Sequence, residues 1–422
     1  MSQMGTVQVV VDAPRHAGLA ALDYRCERPT EPGTLVRVPL GRREVAAIVW
    51  RTAQRSDPPS QLRAVAQHLD AVAPLPPQWM ALVEFAASYY QRSVGEVALA
   101  ALPSELRRLS AAQLAARLRR SQRASAPPVA QPTEVAALTA QQSAALAAID
   151  TAAQRPRSPL LLHGVTGSGK TEVYLRASEH ALAHGRQVLL LVPEINLTPQ
   201  LLARVVERFP SRCVVAMHSA LTPAQRLQAW LRAHAGSADI VLGTRLAVFA
   251  SLPRLGLVVV DEEHDASYKQ QEGARYSARD LAVYRGHLER VPVVLGSATP
   301  SLETWQHALS GRYQRLPLDE RIGGAVLPRV RLFDMGTLPR ATGQAPPALA
   351  PVVLDALRER TGRGEQCLVF LNRRGYAPVL HCADCGWKSE CPHCSAWRVF
   401  HKFDRTLRCH HCGASERVPR AC

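Results

Sequence analysis

No stretch of this 422-residue chain approaches 18 consecutive apolar residues, so no segment has the length of a membrane-spanning helix. The first residues lack a basic start followed by an apolar core, the pattern of a secretory leader. Acidic residues are in short supply: 35 Asp and Glu stand against 51 Lys and Arg, a formal charge of +16. That deficit argues against an acidic, self-solvating chain and favours a polyanionic partner. Much of the excess is arginine, which suits bidentate contact with phosphate. No internal repeat is visible, which removes solenoids and propellers. Cysteine is nearly missing from the first 381 residues, where Cys26, Cys213 and Cys367 stand alone. The other seven crowd between Cys382 and Cys422. Clustering of that kind points to a metal site in a reducing compartment, not to disulfides.

What is present is a phosphate loop. Gly164, Val165, Thr166, Gly167, Ser168, Gly169, Lys170 and Thr171 fit G-x-x-x-x-G-K-[ST], the loop whose backbone N–H groups cradle nucleotide phosphates. Its context is the required one. Pro159–His163 is a short apolar run, as in a buried parallel strand, and the segment after Thr171 is compatible with a helix ending near Gly185. Lys170 would reach the β and γ phosphates and Thr171 would offer its hydroxyl to Mg²⁺. Downstream, Leu257–Val260 leads into Asp261-Glu262-Glu263-His264. Asp261 thus falls at the carboxyl end of an expected central strand, where open α/β sheets bind ligands. Asp261 is the Mg²⁺ candidate and Glu262 the candidate base. The expected ligands are ATP and Mg²⁺.

Along the chain the expected class is α/β multidomain. Residues 1–103 read as a β-rich unit with a helical end: strands at Val7–Val11, Leu35–Val38 and Val45–Arg51, and a helix at Trp79–Gln91. Residues 104–136 read as a basic helix, Glu105–Arg123, and a Pro/Ser/Ala linker. From 137 to 315 strands and helices alternate as in a parallel doubly wound sheet. Strands are expected at Pro159–His163, Gln187–Val192, Val214–Met217, Ile240–Gly243, Leu257–Asp261 and Val291–Gly296. Residues 316–345 read as connector. Pro351–Arg360 and Gln366–Leu371 read as the helix and strand opening a second α/β unit, interrupted by a zinc-binding insertion at 381–422.

In that insertion each C-x-x-C turn points two thiolates at one ion, and tetrahedral Zn²⁺ needs two such turns. Cys391/Cys394 with Cys409/Cys412, fourteen residues between them, has zinc-ribbon spacing. Cys382 and Cys385 then remain with Cys422 and lack a fourth ligand. The other pairing, Cys382/Cys385 with Cys391/Cys394, leaves a loop of only five residues. His410 and His411 read as bystanders.

Taken together, the phosphate loop through Tyr174, Val192-Pro193-Glu194-Ile195, Gly243-Thr244-Arg245, Asp261–Asp265, Gly296-Ser297-Ala298-Thr299-Pro300, Phe370–Tyr376 and the cysteine spacing resemble one family: primosomal protein N′, the PriA-type replication-restart helicases of superfamily 2. The resemblance implies a DNA 3′-end-binding domain, a RecA-like lobe, and the start of a second RecA-like lobe holding the zinc insertion. It implies ATP-dependent 3′→5′ unwinding of DNA at forks and D-loops in the cytoplasm, at the nucleoid, with primosome proteins and single-stranded DNA-binding protein as partners. A scaffold that binds DNA ends without motor activity is the competing reading. By the same resemblance Lys170, Thr171, Asp261 and Glu262 run hydrolysis, and Gln142 lies near the adenine. Asp23 and Tyr24 would form the end pocket, and Arg245 would touch the DNA backbone. Tyr268, Lys269, Arg275 and Tyr276 belong to an aromatic-rich loop thought to meet DNA. Departures are expected to matter. Leu22 and Ala274 stand where aromatics are usual, residues 104–136 are too short for the family's winged helix, and most of the second lobe lies outside this sequence.

Overall fold

The computed structural model of the chain describes residues 5–12, 21–53, 62–123, 137–155, 158–193, 199–324, 329–335, 349–370, 379–382, 384–393, 396–410 and 412–421. It divides into two units, Met1–Leu327 and Pro328–Cys422.

The first unit begins with a five-stranded antiparallel sheet of β1 (Gly5–Val11), β2 (Leu22–Cys26), β3 (Leu35–Leu40), β4 (Arg43–Ala53) and β5 (Gln67–His68), in the order β2-β1-β4-β3-β5. Apolar residues such as Val7, Val9, Val36, Val38 and Val49 bury one face, the period-2 pattern of a half-covered sheet. Helices α1 (Pro77–Tyr89), α2 (Val94–Ala101) and α3 (Ala111–Arg123) follow. α3 is shorter than the expected Glu105–Arg123 helix because residues 104–108 form turns.

Next come α4 (Ala140–Gln154), β6 (Leu160–Gly164), α5 (Lys170–Ala183), β7 (Gln187–Leu191), α6 (Pro199–Arg208), β8 (Val214–Met217), α7 (Pro223–His234), β9 (Ile240–Gly243), β10 (Leu255–Val260), α8 (Ala278–Glu289), β11 (Val293–Ser297), α9 (Leu302–Leu309) and β12 (Gln314–Leu318). Their strands pair in parallel in the order β12-β6-β11-β10-β7-β9-β8. All six strands expected from the alternation are present, with ends shifted by at most two residues. Residues 316–318, at the start of the expected connector, instead complete β12, and Pro317 sits inside it. A proline is tolerated there because β12 is an edge strand, where a missing ladder donor faces no neighbour.

The strands are apolar on both faces, and successive residues go to different cores. Val188, Leu190, Leu257 and Val259 pack with α4, α5 and α6. Leu189, Leu191, Val258 and Val260 pack with α7 and α8, and this second core continues into α1, α2 and α3. The sequence suggested separate domains on either side of the linker; here they share a core. Polar bonds fix the junction. Trp79 Nε1 donates to the Phe249 carbonyl at 2.7 Å, and the Ser277 N–H donates to the Tyr90 hydroxyl at 3.0 Å. His234 Nε2 donates to the Ala73 carbonyl at 2.8 Å. The Phe85 and Tyr284 rings stack.

In the second unit, α10 (Pro351–Gly362) matches the expected helix, with no buried side chain. The strand expected from Gln366 does not form among the described residues: 366–370 have no regular secondary structure, and Leu368 and Phe370 are exposed. A parallel strand is stabilised by neighbours on both edges, and no described strand lies beside this segment. Three short strands, β13 (Val399–His401), β14 (Thr406–Arg408) and β15 (Ser415–Arg417), then form an antiparallel sheet.

Candidate nucleotide and metal sites

The carboxyl ends of β6, β10 and β11 are neighbours in the sheet, and the phosphate loop, residues 261–264 and residues 297–301 all lie there. Gly169 caps the N-terminus of α5 at φ +80, a conformation that favours glycine. A Cβ there would also lie 2.4 Å from Gln142 Nε2 and 2.5 Å from Ile322 Cδ1. Lys170 is buried, its Nζ donates to the Gly164 carbonyl at 2.9 Å, and it lies 3.9 Å from Glu262 Oε1. The helix N-terminus supplies partial positive charge at the same point.

Residues 261–264 engage α5, through both Asp261 and Glu262, the start of α9 and the end of β11. Asp261 Oδ1 accepts from the Tyr174 hydroxyl of α5 at 3.1 Å. Its carbonyl accepts from the Tyr268 hydroxyl at 2.6 Å. Glu262, at φ +44, faces Lys170. Glu263 is buried and accepts from the Ser301 N–H at 2.7 Å, the Thr304 hydroxyl at 2.9 Å and Arg279 at 3.3 Å. His264 Nδ1 lies 2.7 Å from Ser297 Oγ, which accepts from the Thr299 N–H at 2.9 Å. Close packing requires Gly296, because a Cβ there would fall 1.5 Å from the Tyr174 hydroxyl.

Burial lifts the Asp261 carboxyl above the ordinary aspartate range, and the adjacent Glu262 adds to the rise. Tyr174 and Lys170 oppose it without cancelling it. A buried carboxylate in that condition is short of positive charge, which a divalent cation beside Thr171 and Asp261 would supply.

Other expected site residues are placed differently. Gln142 is buried, with Oε1 accepting from Thr139 N–H in a capping box and Nε2 donating to the Ser168 carbonyl at 3.0 Å. These two bonds brace the phosphate loop from behind. Tyr24 is buried in the N-terminal sheet with its hydroxyl on the Pro39 carbonyl at 2.8 Å. Tyr268 and Tyr276 are also buried, which removes their rings as stacking surfaces for DNA. Their apolar area is worth more inside the core than a contact on a loop. Arg245 donates to the Ser267 carbonyl at 2.7 Å, so it holds that loop. Asp23, Lys269 and Arg275 are exposed. Residues 194–198 and 371–376 lie outside the described residues. Sequence reading gave no role to Tyr174, Glu263, Arg279, Ser301 or Thr304; the run of acids at 261–263 was the available signal.

The cysteine segment contains three turns of one kind. The backbone N–H of Cys382, Cys391 and Cys409 donates to the carbonyl five residues on, Trp387, Ala396 and Ala414, at 2.8, 3.0 and 2.7 Å. Cys391, Cys409 and Cys412 bring their sulfurs within 4.8 Å of one another, Cys391 and Cys412 at 3.4 Å. Bonds of about 2.3 Å to a tetrahedral ion place thiolates roughly 3.8 Å apart, so the donor set fits zinc. Cys394 and Cys422 lie outside the described residues, and so does His411. His410 Nε2 lies 3.1 Å from His401 Nε2, apart from this cluster.

Comparison with known proteins accounts for the combination. Residues 8–103 match the family model of the PriA 3′ DNA-binding domain, 139–308 that of DEAD/DEAH box helicases, and 391–417 that of the PriA DNA helicase Cys-rich region. Replication restart protein PriA of Haemophilus influenzae is 36% identical, across 92% of this chain and 62% of its own length. The Bacillus subtilis relative is 42% identical, across 69% of this chain and 36% of its own, and that of Treponema pallidum 41%, across 81% and 49%. The chain belongs to the PriA family. It spans between 36% and 62% of the length of these three PriA relatives. A structure of RecG bound to a three-way DNA junction aligns at TM-score 0.36 and 20% identity, covering 58% of this chain and 30% of that one; so slight a likeness carries no argument. Among the described residues no helix is long and apolar enough to cross a membrane.

Two outcomes are expected. Because the folded-state pKa of Asp261 is raised, its ionisation costs stability: the cost is absent below the unfolded-state pKa of about 4 and complete above the folded value. Asp261→Asn should therefore raise the melting temperature at neutral pH by about 2 °C, and the gain should vanish as the pH falls through the folded pKa. Unchanged melting at pH 7 would contradict this. Metal analysis should find close to one tightly held zinc per chain, and Cys409→Ser should lose it.

Proposed function

We propose that the chain carries the ATP-binding and hydrolysing apparatus of a DNA helicase acting 3′→5′ at forks, D-loops and 3′ ends. One observation carries this reading: Lys170, Asp261 and Glu262 converge at the carboxyl ends of adjacent parallel strands, with Lys170 and Glu262 3.9 Å apart.

In this reading the loop N–H groups and Lys170 take the β and γ phosphates, Lys170 leaving the Gly164 carbonyl to do so. Thr171 and Asp261 would hold Mg²⁺, which when bound would supply positive charge against the charge developing on the phosphoryl group. Glu262 orients and deprotonates the attacking water. Its neighbour His264 reaches Ser297, so a change at Glu262 is felt at residues 297–299. Loss or gain of the γ phosphate would reach the sheet end by this route, the mechanical element of a translocating motor. The zinc-holding cysteines have no catalytic part, since a four-thiolate site leaves no open coordination position. DNA, primosome proteins and single-stranded DNA-binding protein are the partners this reading assigns.

The test is phosphate release from ATP with and without forked DNA. DNA should stimulate turnover, and Lys170→Ala should lower it by about 10²–10³-fold. DNA-dependent function that survives Lys170→Ala would favour a scaffold without motor activity.

A further inference from the structure

The segment that leaves β12 is laid along the phosphate loop. The Val165 N–H donates to the Leu318 carbonyl at 3.2 Å, and the Ile322 N–H donates to the Gly167 carbonyl at 3.0 Å. Between these two bonds the Asp319 N–H donates to Gln141 Oε1, in the first turn of α4, at 2.8 Å. Leu318 also packs on the loop, since a Cβ at Gly164 would lie 3.0 Å from Leu318 Cβ. Residues 318–322 thus form a strap, tied at both ends to the loop and in the middle to α4.

Three features say what this strap faces. The first is Ile322. Its Cδ1 sits so near Gly169 that a Cβ there would fall 2.5 Å away, yet the residue is 53% exposed. An isoleucine held against the loop with half its surface open is an apolar wall at the rim of the site, the kind of surface that small-molecule sites are lined with. The second is position. The strands run β12-β6-β11-β10, so the strap after β12 and Glu262 after β10 lie on opposite flanks of the phosphate loop, which follows β6. A triphosphate whose γ end meets Glu262 has its nucleoside end on the other flank. The third is charge. The strap carries two carboxylates, Asp319 and Glu320, against one guanidinium, Arg321. That balance repels phosphate and tolerates the neutral end of a nucleotide.

We propose that Ile322 is the base-facing wall of the nucleotide site: one face of the base of ATP packs on the Ile322 side chain beside Gly169, while the strap's bonds to Val165 and Gly167 hold the loop in shape around the phosphates. The proposal rests on the reading of residues 164–171 and 261–262 as an ATP site. It adds the residue that lets this site tell a nucleotide from bare phosphate.

The experiment is isothermal titration calorimetry of the chain with Mg²⁺, against a non-hydrolysable ATP analogue and against inorganic triphosphate, which has the charge but no base. The native chain should bind the analogue more tightly. Ile322→Ser should cut that preference about tenfold, the cost of losing a small apolar contact, and leave the affinity for triphosphate unchanged. Ile322→Leu should keep the preference. The melting temperature of Ile322→Ser should match that of the native chain, because the side chain is half-exposed, so a loss of binding is not a loss of fold. Equal affinity of the native chain for the two ligands, or a preference that survives Ile322→Ser, would overturn the inference and leave the ATP-site reading standing. Equal losses for both ligands at an unchanged melting temperature would make Ile322 a brace of the loop alone, and would overturn it too. Failure of the native chain to bind either ligand would overturn both readings.

Discussion

The carboxyl end of β10 is held by three elements at once, α5, α9 and β11, because four consecutive side chains are spent on them. Asp261 takes the hydroxyl of α5's Tyr174, Glu262 faces Lys170, Glu263 caps the start of α9, and His264 reaches the end of β11. A buried carboxylate without partners would cost on the order of several kcal/mol; Glu263 escapes this by accepting from Ser301, Thr304 and Arg279. The strand end is therefore stiff where it is structural, at Glu263. It is electrostatically unfinished where it is chemical, at Asp261. A divalent cation bound there would offset the charge that burial and Glu262 disfavour at Asp261.

The second constraint is the shared core. Because the sheet is apolar on both faces, the face not covered by α4, α5 and α6 needs more cover than α7 and α8 give. The N-terminal helices supply it. The N-terminal domain is thus seated on the parallel-sheet lobe through Trp79, Tyr90 and the Phe85–Tyr284 stack. The buried tyrosines at 268 and 276 are struts of the loop at 267–276 rather than fingers reaching for DNA.

Much of this was legible in the residues. The alternation of apolar runs located six strands of the large sheet, and the phosphate loop and acidic run located the candidate site, since both motifs are local and demand a fixed backbone. What failed to show was what depends on partners distant in sequence. Tyr24, Tyr268 and Tyr276 look alike in sequence whether they stack on a base or bury in a core, and only the fold decides. Gln142 takes part in a capping box and holds the Ser168 carbonyl, a bracing role that depends on the fold. Pro317 disguised an edge strand. Residues 366–370 have strand composition, but no described strand lies beside them to pair with.

The central claim is that filling the phosphate loop is felt at once along β10 and β11 through residues 261–264. Hydrogen–deuterium exchange with and without a non-hydrolysable ATP analogue and Mg²⁺ tests it most directly. The account predicts that protection rises together in three stretches, 164–171, 261–264 and 297–301, and that Tyr174→Phe weakens the second without abolishing the first. Protection confined to 164–171, with 261–264 and 297–301 unchanged, would contradict it.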